Sequence, residues 1–292
     1  MKKINVIFAL ILTLGGGFVI YLIVNKEPDI QSTWVWDTRE FQANSERYFH
    51  FLTEKRISKL YVQIDQELAY EEYEKMIEAA HAMEIAVFAI DGAKDWVQQL
   101  DELNNTLEWL KEYHRQVNDA ARFDGLLLDV EPYLLDEWET EQLSILKGYQ
   151  EVVRIGSEFS QNENVPFEMA IPFWFYQLEV EGENLLTWMY SYIDTVLIMS
   201  YRTELEGENG FHAIVAPYFE EFASDHVDIV LTVETESLEG EEQSISFSEK
   251  TESEMNQFIS TLNKKYRNVQ GISVHHLHSW IKLHQKTEGV SQ

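Results

Sequence analysis

The chain contains no cysteine in 292 residues. That absence excludes disulfides, zinc–thiolate centres, a thiol nucleophile and a lipid-modified cysteine behind an N-terminal apolar run. Any catalysis falls to carboxylates, histidines or hydroxyls. Positive charge is scarce too: 22 Lys and Arg stand against 51 Asp and Glu, for a net charge of −29. Such a balance opposes phosphate backbones and anionic bilayer surfaces, so no nucleic-acid partner is expected. It reads first as a solvated acidic surface. No short-period repeat and no second domain stand out, and 45% hydrophobic content supplies a sizeable core.

Lys2 and Lys3 precede an uncharged apolar run over residues 4–24, long enough to cross a bilayer as a helix. The following NKEPDIQS offers no A-x-A-like cleavage site, which favours an uncleaved anchor over a removed signal peptide. The expected layout is an anchor over residues 1–25, a tether over 26–32 and one domain over 33–292. The positive-inside tendency keeps Lys2 and Lys3 in the cytoplasm and puts the domain outside the cell membrane, or in the medium if the leader is cleaved.

From Thr33 onward, eight short apolar runs (TWVWD, KLYVQID, IAVFAID, GLLLDVE, PFEMAIP, TVLIMSY, DIVLTVE, GISVHHL) alternate with longer amphipathic segments. Strict alternation of strand and helix predicts a parallel sheet with helices outside it, and eight repeats in about 250 residues match a single (β/α)₈ TIM barrel. Barrel enzymes keep their chemistry at the strands' C-terminal ends. Several runs end there in an acid: Asp37, Asp65, Asp91, Glu234, and Asp129 with Glu131. A lone acid serves as readily to cap the next helix. Asp129 and Glu131 differ, because strand alternation points both the same way, and two like charges held together raise one pKa and keep a proton available near neutrality. Pro132 ends the strand just beyond them.

The run Asp124-Gly125-Leu126-Leu127-Leu128-Asp129-Val130-Glu131 resembles the fourth-strand signature DGxDxDxE of family 18 glycoside hydrolases, the chitinase-like barrels. Leu127 stands where that family has its middle acid. Met199-Ser200-Tyr201 is similar to the family's M-x-Y motif, with Arg202 where an Asp is usual, and Trp280 follows the eighth strand, where the family places a tryptophan beneath the sugar. The resemblance implies hydrolysis of glycans carrying N-acetylated amino sugars, without cofactor. Glu131 would be the general acid, Asp129 its partner orienting the substrate's acetamido group as internal nucleophile, and Tyr201 a hydrogen-bond donor to that group. Motif and strand-end positions together give Asp124, Trp36, Asp91, Trp174, Met199, Arg202 and Trp280 as substrate-binding candidates. Other aromatics near strand ends, Trp34, Trp96, Phe173 and Phe175, are as well placed for the core.

Two alternatives remain open. Glu131-Pro132 after strand four and Glu234 after strand seven also resemble the acid/base and nucleophile of the large retaining barrel clan, although Val130 stands where that clan has Asn. A surface barrel that binds glycan without turning it over is the other. His275, His276 and His278 form no metal-binding expectation, since alternation separates adjacent strand side chains and no carboxylate is spaced beside them.

Overall fold

A computed structural model describes residues 9–14, 17–22, 30–238, 244–266 and 269–290. Eight strands, β1 Ile30–Val35, β2 Lys59–Gln63, β3 Ala86–Asp91, β4 Gly125–Leu128, β5 Phe167–Pro172, β6 Thr195–Met199, β7 Asp228–Glu234 and β8 Gly271–His275, pair in parallel and close into a barrel. The helices between them are α1 Ser45–Lys55, α2 Tyr70–His81, α3 Leu100–Gln116, α4 Trp138–Glu163, α5 Leu185–Met189, α6 Phe211–Glu220, α7 Glu252–Lys265 and α8 Leu277–Val290. Each presents an apolar stripe to the sheet. In α2 the buried positions are Tyr73, Met76, Ile77 and Ala80, the 3–4 spacing of one helical face, and Glu71 and Glu72 in its first turn complement the helix dipole. A capping box of Thr251 and Glu254 starts α7.

Strand parity decides what faces the axis. Trp34, Tyr61, Phe88, Ile90, Leu127, Ala170, Leu197 and Val230 fill the barrel's interior, while their strand neighbours join the core beneath the helices. Burial of each large interior side chain contributes about 1.5–3 kcal/mol. Near the strands' N-terminal ends, buried Glu168 accepts from Lys59 Nζ and the Tyr61 hydroxyl, each at 2.7 Å, and Lys59 lies 4.1 Å from the Phe88 ring centre. The interior is closed at that end and open at the other.

Two expectations are corrected. The sequence predicts a membrane-crossing helix over residues 4–24, but Ala9–Leu14 and Gly17–Leu22 are strands paired antiparallel, and no helix among the described residues is long and apolar enough to cross a membrane. Gly15, Gly16 and Gly17 disfavour a helix interior, and the flanking Ile, Val and Thr favour extended chain. Residues 1–8, 15, 16 and 23–29 lie outside the described part. The first strand also begins at Ile30, ahead of Thr33, because Ile30 pairs with Ile272. The LEVEGEN stretch makes a small hairpin of Glu179–Val180 and Glu183–Asn184 turning at Glu181 and Gly182, whose φ values of 53° and 88° suit a tight turn.

Candidate active site

The inner row of β4 runs Leu127, Asp129, Glu131, so both acids project into the open end of the barrel. The ladder persists one residue past the strand, with Asp129 N–H donating to Asp91 O at 3.1 Å. Pro132 then opens a 3₁₀ turn, Pro132–Leu134. At Gly92 a Cβ would fall 2.0 Å from Asp129 O, so glycine is what lets the exits of β3 and β4 approach. Asp129 Oδ1 is enclosed and has no hydrogen-bond partner among the described residues. Burial, and then the Glu131 charge, push the Asp129 carboxyl up to about 7. Glu131 is half-buried and accepts from the Tyr133 hydroxyl.

Four further strands bring side chains to the same place. Met199 and Tyr201 continue the inner row of β6. Burial, with the charges of Glu234 and Asp129 next, holds the Tyr201 hydroxyl well above its ordinary range, so it stays a proton donor. Glu234, 1% exposed at the end of β7, accepts through Oε1 from the N–H groups of Thr235 (2.7 Å) and Glu236 (2.6 Å). Its Oε2 lies 2.7 Å from His275 Nδ1 at the end of β8. His275 Nε2 lies 2.7 Å from Trp36 Nε1, just past β1. Trp36, Asp129, Glu131, Tyr201, Glu234 and His275 thus line one cleft of about 730 Å³, together with Met199, Lys94 and the exposed Leu134 and Leu238. A larger groove of about 910 Å³ lies between α1 and α2 on the helix layer, away from the strand ends.

The structure does not bring the other candidates into this cleft. Asp124 precedes β4, roughly 16 Å of extended chain before Asp129, and accepts from Val87 N–H and bonds His81 Nε2 near the opposite end of the barrel. Asp91 follows the inward Ile90, so parity turns it toward the helix layer, where Gly92 N–H and Thr106 of α3 bind it; burial raises it to about 6. Trp174 stands behind the cleft, its ring 5.2 Å from Tyr133 and 6.3 Å from Trp138. Arg202 turns away to Asn209 O and Tyr201 O, over the Phe173 ring, and lines a neighbouring pocket of about 460 Å³. Trp280 lies in α8, wholly buried, its N–H on Glu252 and its ring edge-on to Phe51. It is core, not a sugar platform. Asp37 caps the helical turn after β1, and Asp65 pairs with Arg39 at 2.5 Å.

Sequence reasoning passed over Tyr133, Lys94 and His275 as cleft groups. For His275 the signal was parity: it lies two residues beyond Ser273, an inward residue bonded by Trp34 Nε1 at 2.7 Å. The three neighbouring histidines diverge, His276 toward Glu236 (3.4 Å) and His278 toward Glu40 (2.9 Å).

The geometry defines a (β/α)₈ barrel with an acidic cleft at the strands' C-terminal ends. No protein-family model matches the chain, and no curated protein matches it. Solved structures do resemble it. The GH18 chitinase of Cycas revoluta in complex with (GlcNAc)3 has a TM-score of 0.56 at 13% identity, covering 86% of this chain and 95% of that one. The class V chitinase of Nicotiana tobaccum in complex with NAG4 gives 0.54 at 10%, covering 86% and 94%. The β-1,4-mannanase of the common sea hare Aplysia kurodai gives 0.53 at 14%, covering 95% of each chain. At these identities the likeness is one of fold: this chain has a chitinase-like TIM barrel.

Proposed function

We propose that the barrel is a glycoside hydrolase acting on glycans with N-acetylated amino sugars. The observation that carries the reading is the pair Asp129 and Glu131 side by side in one cleft with Tyr201, the first of them keeping a proton close to neutrality. Glu131 protonates the glycosidic oxygen as the substrate's own acetamido oxygen attacks the anomeric carbon and the glycosidic bond breaks, releasing the leaving sugar as an alcohol. Water then attacks the same carbon, reopens the ring that the acetamido group closed and returns its proton to Glu131, so the protein needs no nucleophile. Asp129 orients that acetamido group and Tyr201 donates to it. The fold shared with chitinases solved with GlcNAc oligomers supports the choice of sugar.

The fold shared with a β-1,4-mannanase and the place of Glu234 at the end of β7 favour a second reading, in which Glu131 and Glu234 act as acid/base and nucleophile. Against it, both oxygens of Glu234 are already engaged, by two backbone N–H groups and His275. A location outside the cell membrane belongs to the same proposal, resting on the apolar run over residues 4–24 behind Lys2 and Lys3. Protease shaving of intact cells tests it.

The deciding experiment is release of reducing ends from chitooligosaccharides, peptidoglycan, mannan and a deacetylated polymer by the protein and by Glu131→Gln and Glu234→Gln. Glu131→Gln should lower turnover by at least about 100-fold on N-acetylated substrates while binding persists. Equal loss in both variants, with mannan cleaved, would move the assignment to the two-glutamate plan. Binding without hydrolysis by the wild-type protein would make the barrel a glycan-binding module.

A further inference from the structure

The end of β8 holds a histidine whose two nitrogens have partners of opposite kind. An indole N–H can only donate, so at 2.7 Å from Trp36 Nε1 the His275 Nε2 must present its lone pair. Nδ1 faces Glu234 Oε2 at 2.7 Å, and Glu234 cannot turn away because its Oε1 takes the Thr235 and Glu236 N–H groups. Nδ1 therefore carries the hydrogen. Both ends specify one state of His275, neutral with Nδ1–H, since an imidazolium would set two N–H groups against each other at Trp36. The ring is also wedged between Trp34 and Tyr201, with centres 5.2 Å and 5.9 Å away.

We infer that Glu234 and His275 are positioning residues that lock Trp36 as the aromatic platform of the cleft. Trp36 is half-buried, lines the cleft beside Asp129 and Glu131, and has its one polar atom committed to His275, which fixes the plane of the indole. A flat ring fixed in plane offers a sugar's apolar face a surface that loses no rotamer freedom on binding. Trp280, which follows the eighth strand, is buried in α8, which leaves Trp36 as the tryptophan lining the cleft, with the eighth strand supplying its brace. The same relay explains why Glu234 is buried with every oxygen engaged. The platform role rests on the glycan-cleaving reading of the cleft; the tautomer of His275 does not.

Long-range ¹H–¹⁵N spectra of the full chain at neutral pH should show His275 as the Nδ1–H tautomer, with the Trp36 indole proton shifted downfield and identified by its loss in Trp36→Phe. His275→Gln preserves one donor and one acceptor at similar separation, whereas His275→Leu removes both. With chitotetraose as probe in calorimetric titration, His275→Leu should weaken binding at least tenfold and His275→Gln less than threefold, at matched thermal stability. An Nε2–H or doubly protonated His275, or equal losses in the Gln and Leu variants, would overturn the relay. Failure of the wild-type protein to bind chitotetraose or mannotetraose would overturn the platform role, while an Nδ1–H tautomer in the same sample would still uphold the relay.

Discussion

Asp129 shows what a single buried acid does to the molecule that holds it. Its carboxyl is raised to about 7 in the fold, against about 3.9 in an unfolded chain. Between those values the folded state holds a proton that the unfolded state has lost, so by linkage this group's contribution to stability is fullest below about pH 4 and is lost as pH rises through 7. Asp129→Asn removes the titration. Its unfolding free energy from urea titration should exceed that of the wild type at pH 8 by on the order of 2–4 kcal/mol, with the difference vanishing near pH 4. Parallel pH profiles for the two proteins would refute the assignment. Strand alternation alone made Asp129 and Glu131 legible as a pair. The same parity, applied to the inward Ile90, would have turned Asp91 outward, but a strand end read by residue type hides its direction. Trp280 misled for a different reason: the chain enters α8 at Leu277, and three residues into a helix the side chain's direction follows helical, not strand, geometry.

At the scale of elements, the exits of β3 and β4 touch through Gly92. Gly92→Ala should cost about 1–3 kcal/mol and reduce turnover, because the new methyl group would displace the Asp129 carbonyl; urea titration and an activity assay measure both. Among the helices, Glu252 at the start of α7 gathers Lys55 of α1 (2.8 Å) and His284 (2.6 Å) and the Trp280 N–H (2.9 Å) of α8. Burial pushes its carboxyl up, but the hydrogen bonds from Lys55 and His284 outweigh this and hold it below the usual range. Glu252→Ala strands those donors in a largely buried site. It should cost about 3–5 kcal/mol and lower the melting temperature by roughly 10 °C. An unchanged melting temperature would mean the cluster is solvated. None of this joint was visible in the sequence, because Glu252 lies roughly 30 to 200 positions from the groups it gathers, whereas the eight strand–helix units announced themselves through local periodicity. The N-terminal apolar run carries length but no period, and that is why helix and paired strands compete there.

The whole molecule carries its charge outside. Net charge is −29, yet the barrel interior places Lys59 on Glu168, and the cleft's acids number three with Lys94 beside them, so most of the excess lies on the surface and repels itself. Self-repulsion is long-ranged only where the screening length is long. Raising sodium chloride from about 0.01 M to 0.3 M shortens that length from about 30 Å to below 10 Å, so the melting temperature should climb by several degrees. Affinity for an uncharged oligosaccharide should stay within about twofold over the same range, because the contacts expected of Trp36 and Tyr201 are stacking and hydrogen bonding, not long-range attraction. A melting temperature indifferent to sodium chloride would mean that self-repulsion of the surface acids does not measurably destabilise the fold. Calcium chloride at matched ionic strength separates the remaining cause. Screening depends on ionic strength alone, so equal shifts with the two salts would place the effect in the diffuse field, and a larger shift with calcium would locate it in acids that bind a cation directly.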